Sequence, residues 1–436
     1  MVETIVVPGG PVVLLDTMPH IRSVAMQCLI GVGACAEQQE QSGISHLIEH
    51  MCFKGTRSWP DPRLLSMAIE GVGGVMDAST MYESTVYWVK VADIHTDLAL
   101  RILLEMVSQP LFVNQELEKE RRVIVEEIRG IQDSPSDYTD VLIQSALWGD
   151  QPLGRDIAGS IESVNQIGHA AMRSFWQAHY QPSNMILSIA GHITPQQRQS
   201  IEHVLATLPT NTNGSATRQD PTRPGSPMLP VSPPRPGPDV VIATRMIEQG
   251  SFCIGFPAPS YHDPDRFAFR VLDTVLGGGM SSRLFQEMRE ERGLSYNVGS
   301  YHSLFASTGM WAIYGGVSAD DMHESIAVIC SLLRELVAHG ITEEELALVQ
   351  SQVRGSLLLS LENTLTVASR QGELYLHYGY VVPPEETIAA IEAVTTADVH
   401  RLAQQLLRRE MMQIAVVGPY PDSDSLRSSL LEAITL

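Results

Sequence analysis

Cysteine is scarce in this 436-residue chain: Cys28, Cys35, Cys52, Cys253 and Cys330 are scattered, with no Cys-x-x-Cys pair. An odd, dispersed set excludes a disulfide framework and a cysteine-ligated zinc site, and it fits a reducing compartment. Positive charge is also in short supply, with 29 Lys and Arg against 50 Asp and Glu and a net charge of −21. Such a surface repels polyanions at long range, so neither nucleic acid nor an anionic membrane is an expected partner. No apolar run reaches the roughly 18 residues of a membrane span. The opening Met-Val-Glu-Thr-Ile-Val-Val-Pro-Gly-Gly lacks the basic start and apolar stretch of a secretory signal, so the expectation is a cytoplasmic protein.

What is present is an ordinary globular composition, 44% hydrophobic and 18% charged, on a chain long enough for several domains. Eight prolines (221, 224, 227, 230, 233, 234, 236 and 238) crowd between Asn213 and Pro238 and interrupt any helix or strand ladder. This stretch is read as a linker between domains at 1–212 and 239–436.

The flanking segments resemble each other. Met185–Pro209 runs from a β-type apolar stretch through Gly191 into a helix pattern, and Met411–Leu436 repeats it with Gly418, 227 residues on. Glu116–Gly130 and Ile341–Gly355 are charged helix patterns ending in Arg-Gly at an offset of 225. Short strands such as Thr85–Val91 and Gly309–Tyr314 alternate with amphipathic helices such as Ile388–Leu407. The predicted class is α+β, as two duplicated domains; a doubly wound parallel sheet is the alternative.

The residues that carry chemistry begin at Ser45-His46-Leu47-Ile48-Glu49-His50-Met51. On a helix, positions four apart share one face about 6 Å apart, so two imidazoles can converge on one ion. Glu49 then lies beside the metal as a base for water, in the His-x-x-Glu-His spacing of zinc peptidases. Catalytic zinc needs a third protein ligand. Leu117, Glu120, Ile124, Glu127, Ile128 and Ile131 fall on one helical face, placing two carboxylates in an apolar stripe where only pairing or ligation is tolerated.

His46-x-x-Glu49-His50, followed by Glu127 with Glu120 seven residues before it, resembles the pitrilysin-type metallopeptidases, among them the mitochondrial processing peptidase and insulin-degrading enzyme. Gly43-Ile44-Ser45-His46, Phe53-Lys54-Gly55-Thr56 and Tyr180-Gln-Pro-Ser-Asn-Met185 add to the likeness. The resemblance implies zinc held by His46, His50 and Glu127, with Glu49 as base and Glu120 orienting a ligand. It also implies that Arg289 and Tyr296, seven residues apart, contact substrate carbonyls, and that Asp77 and Ala78 lie on a strand that binds an extended peptide.

The implied activity is endopeptidase cleavage of peptides or unfolded segments in an enclosed chamber. The rival is a non-catalytic core subunit of a larger complex. At the 225 offset Gln352 stands opposite Glu127, and an offset of 226 sets Leu272, Val275 and Leu276 opposite His46, Glu49 and His50, so only the first half carries ligands. Because related chains set the metal domain of one subunit against the Arg/Tyr domain of another, the resemblance implies a homodimer, or a heterodimer with a related chain.

Overall fold

The structure is a computed structural model describing residues 2–206 and 233–434. The proline-rich linker lies outside the described residues as far as 232; 233–238 form neither helix nor strand.

Two sheets organise the chain. The first has the order β1-β2-β6-β3-β5-β4, with β1 (Glu3–Val6), β2 (Val12–Thr17), β3 (Ser23–Ile30), β4 (Val75–Thr80), β5 (Thr85–Ala92) and β6 (Met185–Gly191). The second has the order β7-β11-β8-β10-β9, with β7 (Asp239–Thr244), β8 (Gln249–Ala258), β9 (Ser295–Leu304), β10 (Gly309–Ser318) and β11 (Gln413–Gly418). Among the described residues only β2/β6 and β7/β11 pair in parallel. The fold is therefore mixed α+β, and the doubly wound alternative is excluded by the antiparallel hairpins β4/β5 and β9/β10. Apart from β1, the two strand orders and pairing directions are the same, so the duplication is a duplication of topology.

The hairpins set the register between the copies. Thr80 pairs with Thr85, and Leu304 pairs with Gly309, an offset of 224 for each residue. Applied to the helices Ile44–Cys52 and Arg266–Gly277, this offset sets buried Leu47, Ile48, Met51 and Cys52 opposite buried Val271, Leu272, Val275 and Leu276. The offset of 226 expected from sequence is thus corrected. It would map a face carrying two histidines onto the buried stripe of the second helix. The true counterparts of His46, Glu49 and His50 are Arg270, Asp273 and Thr274.

The compact units do not follow the halves of the chain. The described residues of Met1–Ile128, Asp156–Pro227 and Leu357–Pro383 form one unit, and those of Arg129–Arg155, Met228–Ser356 and Pro384–Leu436 form the other. In the first, the helix Thr364–Tyr378 covers β3 and β6 on the face opposite the main core, packing Tyr375 and Leu376 against Leu14, Leu29 and Ile186. Gly372 permits that approach, since a Cβ there would meet Leu29 Cδ1 at 2.4 Å. In the second unit, the helix Pro135–Trp148 covers β8 and β11 in the same way. Helices on both faces explain why β3 (SVAMQCLI) is almost continuously buried rather than alternating.

One expected helix is broken. Ile388–Leu407 falls on two helices, Pro384–Glu392 and Thr396–Leu406. Thr395 ends the run by capping the second with Asp398, a reciprocal side-chain-to-backbone pair. Among the described residues no single helix is long and apolar enough to cross a membrane.

Candidate metal centre

The helix Ile44–Cys52 turns Leu47, Ile48, Met51 and Cys52 into the core, leaving His46, Glu49 and His50 on its other side. Its start is tightly specified. Gly43 takes φ +93, and a Cβ there would lie 2.5 Å from the Ala158 carbonyl oxygen, so glycine is required. The buried Glu37 carboxylate accepts from the backbone N–H groups of Gly43 and Ser45, each at 2.8 Å, and satisfies the first turn.

The helix Asn114–Asp133 supplies the carboxylates. Its stripe is buried at Leu117, Glu120, Ile124 and Ile128, but Glu127 differs from the sequence expectation: its side chain is 42% exposed. Ile124 and Ile128 on either side of it are buried, so the exposure of Glu127 marks the edge of the stripe rather than the end of the packed layer.

His50 Nε2 lies 3.2 Å from His46 Nε2, and Glu127 Oε2 lies 3.9 Å from His46 Nε2 and 3.5 Å from His50 Nε2. This is the group of potential ligand atoms found among the described residues, all within 4.8 Å of one another. Ligands about 2.1 Å from a tetrahedral ion stand roughly 3.4 Å apart, so the spacing fits zinc. His50 Nδ1 is engaged with Glu120 Oε2 at 3.1 Å; when it donates there, Nε2 keeps its lone pair toward His46. Where both Nε2 atoms present lone pairs they oppose one another at 3.2 Å, and an ion between them relieves this; His46 Nδ1 is buried without a partner in either case.

The electrostatics favour neutral, ligating His46: burial, then the neighbouring His50, lowers its pKa to about 4. Burial would also lower His50, but the Glu120 hydrogen bond and the charges of Glu127 and Glu49 reverse the direction. Glu120 is held ionised. Burial pushes it up, and the hydrogen bonds from His50 and Lys54 bring it below its ordinary value. Glu49 is pushed up by burial despite the hydroxyl of Thr80, which donates to Glu49 Oε2 at 2.5 Å.

Thr80 ends β4, the outer strand of the first sheet, so an open strand edge adjoins this carboxylate. Asp77 and Ala78 lie on that strand. The Ala78 N–H donates to the Asp77 carboxylate at 2.8 Å. Arg289 and Tyr296 belong to the second unit, where Arg289 Cζ stands 4.4 Å from the Tyr296 ring centroid and its Nη1 donates to the Tyr296 carbonyl at 3.4 Å. Tyr296 is 82% exposed and lines a cavity of about 1170 Å³ within that unit.

Three contributors went unassigned in the sequence. Lys54 Nζ lies 2.8 Å from Glu120 Oε1, Thr80 holds Glu49, and Glu37 caps the histidine helix. Lys54 sits in a motif that carries the family likeness and Thr80 closes the strand that holds Asp77 and Ala78, but spacing assigns neither a role. Glu37 has no sequence signal at all.

Two domain models match the chain: Insulinase (Peptidase family M16) over residues 12–160 and Peptidase M16 inactive domain over residues 166–353. An uncharacterized zinc protease of Streptomyces coelicolor is 33% identical over 96% of this chain and 90% of its own length. The chain belongs to the M16 peptidase family. A second M16 relative, the uncharacterized zinc protease YmxG of Bacillus subtilis, is 34% identical over 96% of this chain and 98% of its own. The M16 fold is matched by the crystal structure of a peptidase M16 inactive domain from Pseudomonas fluorescens, with TM-score 0.85 at 19% identity, covering 96% and 98% of the two chains. A protease from Helicobacter pylori gives TM-score 0.84 at 19% identity over 96% and 99%.

Proposed function

We propose that this M16 chain is a zinc-dependent endopeptidase of the two-domain, mitochondrial processing peptidase-like branch, cutting peptides or unfolded segments within an enclosed chamber. The observation that carries the reading is the convergence of His46 Nε2, His50 Nε2 and Glu127 Oε2 beside the buried carboxylate of Glu49. The relatives named as zinc proteases support zinc as the ion, as does a donor set of two imidazoles and one carboxylate.

A bound zinc supplies Lewis acidity, polarising the scissile carbonyl and acidifying a water. The protein residues do the rest. Glu120, anchored by Lys54, fixes the His50 ring so that Nε2 faces His46 and Glu127, the residues that would hold the zinc with it. Glu49, aimed by Thr80, takes the proton from the attacking water and returns it to the leaving amine. The open edge of β4 takes the peptide backbone as an added strand, with Asp77 and Ala78 along it. Arg289 and Tyr296 contribute a guanidinium and a phenol to the developing oxyanion. Since each chain carries both elements, a homodimer with two composite sites is the simplest assembly, and a heterodimer with a related chain is the other.

The test is Glu49→Gln in the full chain, with a mixed peptide library as substrate. Zinc content should be unchanged while cleavage falls by about 100-fold or more. Undiminished turnover would remove Glu49 as the base, and failure of the unaltered protein to cut any peptide would favour a non-catalytic subunit.

A further inference from the structure

The second unit retains the framework of the metal site with different chemistry on it. At the offset of 224 set by the hairpins, His46, Glu49 and His50 become Arg270, Asp273 and Thr274, and Ala78 becomes His302. Glu127 becomes Gln352 at the offset of 225. These five residues line one cavity of about 360 Å³, lying wholly within the second unit. The duplicate of the site has therefore kept its hollow while losing both imidazoles and the distal carboxylate from the ligand positions.

The walls are organised. Asp273 is buried and fully engaged: Oδ1 accepts from Ser300 Oγ at 2.5 Å and Trp311 Nε1 at 2.7 Å, and Oδ2 pairs with His302 Nδ1 at 2.7 Å. The His302 ring is further held edge-on to Phe269, with centroids 5.3 Å apart. With Nδ1 committed to the carboxylate, Nε2 is the ring atom left for a ligand, and it has no polar partner among the described residues. The Arg270 guanidinium likewise has no ion pair, hydrogen bond or ring contact among them. The polar groups left over on this wall are a cation and an oriented imidazole, with Gln352 and Ser356 beside them. Asp273, the one carboxylate lining the cavity, is already occupied by three donors.

We propose that this cavity is an anion-binding site in which Arg270 and His302 hold a compact oxyanion, a carboxylate or a phosphate. An anion at His302 Nε2 enters together with a proton on that nitrogen, and the pair completes an alternating row of carboxylate, imidazolium and anion, while the guanidinium provides the planar fork suited to two oxygens. The replacement of His, His and Glu by Arg, Thr and Gln turns a cation-binding constellation into its opposite within the same strand order. This site is independent of peptide hydrolysis and of the zinc assigned to the first unit.

The experiment is isothermal titration of the zinc-loaded full chain, at constant ionic strength, with inorganic phosphate, with trialanine as the free acid, and with trialanine amide. Saturable binding of phosphate alone assigns an inorganic ligand, and binding of the free acid but not the amide assigns a peptide terminus. Arg270→Ala and His302→Gln should each weaken binding by about tenfold or more, and Arg270→Glu should abolish it. Arg270 is exposed, so its variants test the site without disturbing the core; circular dichroism checks the His302 variant. Absence of saturable binding by phosphate and free acid, equal binding of the amide, or isotherms unaltered by Arg270→Glu would overturn the proposal.

Discussion

Lys54 Nζ lies 2.8 Å from Glu120 Oε1, while the other oxygen of that carboxylate engages His50 Nδ1. The lysine thus acts on His50 through a buried acid, as a positioning residue. Lys54→Met leaves Glu120 with one partner and should weaken zinc retention by about tenfold or more, as loss of outer partners does at other metal sites. Competition with a chromogenic chelator measures it. Equal zinc affinity in the variant would show that Glu120 is held adequately by His50 alone.

Thr80 reaches Glu49 from the end of the outer strand, tying the proposed base to the strand proposed to take the peptide. Thr80→Val is nearly isosteric but cannot donate. It should lower kcat by about tenfold through a misdirected base, with zinc content unchanged. Steady-state kinetics and metal analysis on the same preparation separate the two effects.

Mixing inactive chains tests the composite site. Arg289→Ala alone should cost about 100-fold in kcat/KM, as the loss of an oxyanion donor does. If each site combines the metal unit of one subunit with Arg289 of another, equilibrating Glu49→Gln with Arg289→Ala chains should recover roughly a quarter of the original activity. If each chain completes its own site, the mixture stays inactive.

Asp273 makes stability depend on acid. Burial alone would raise its pKa, but hydrogen bonds from His302, Ser300 and Trp311 hold it below the ordinary carboxylate value. A depressed folded pKa contributes stability that is present above the unfolded value of about 4 and lost as pH falls through the folded value. Asp273→Asn should lower stability by about 2 kcal/mol or more near neutrality and flatten the decline below about pH 4. Thermal melts across that range check both, and parallel curves for the two proteins would contradict the assignment.

Much of the first unit's site was legible in the chain because it depends on local period. Four-residue spacing sets His46 and His50 on one side of a helix, and seven-residue spacing sets Glu120 and Glu127 on one stripe. The same argument failed to separate the two glutamates: both stand at the edge of the buried stripe, and Glu120 is enclosed while Glu127 is not because of what other elements set against each, such as Lys54 on Glu120. The copy in the second unit was misaligned by two residues, because weak similarity in one segment does not reveal the small length changes in the loops between segments. The hairpin registers and the buried stripes together do.

By itself, the sequence determined which side chains share a helix face, where proline stops regular structure ahead of the second sheet, and that the chain is built from two related halves. Tertiary structure alone decided that Thr364–Tyr378 covers the first sheet and Pro135–Trp148 the second, each drawn from the opposite half of the chain. Periodicity tells how much of a helix must be buried, not which sheet buries it. That choice rests on non-local packing of both sheet faces, which also sets Lys54 on Glu120, Thr80 on Glu49 and His302 on Asp273.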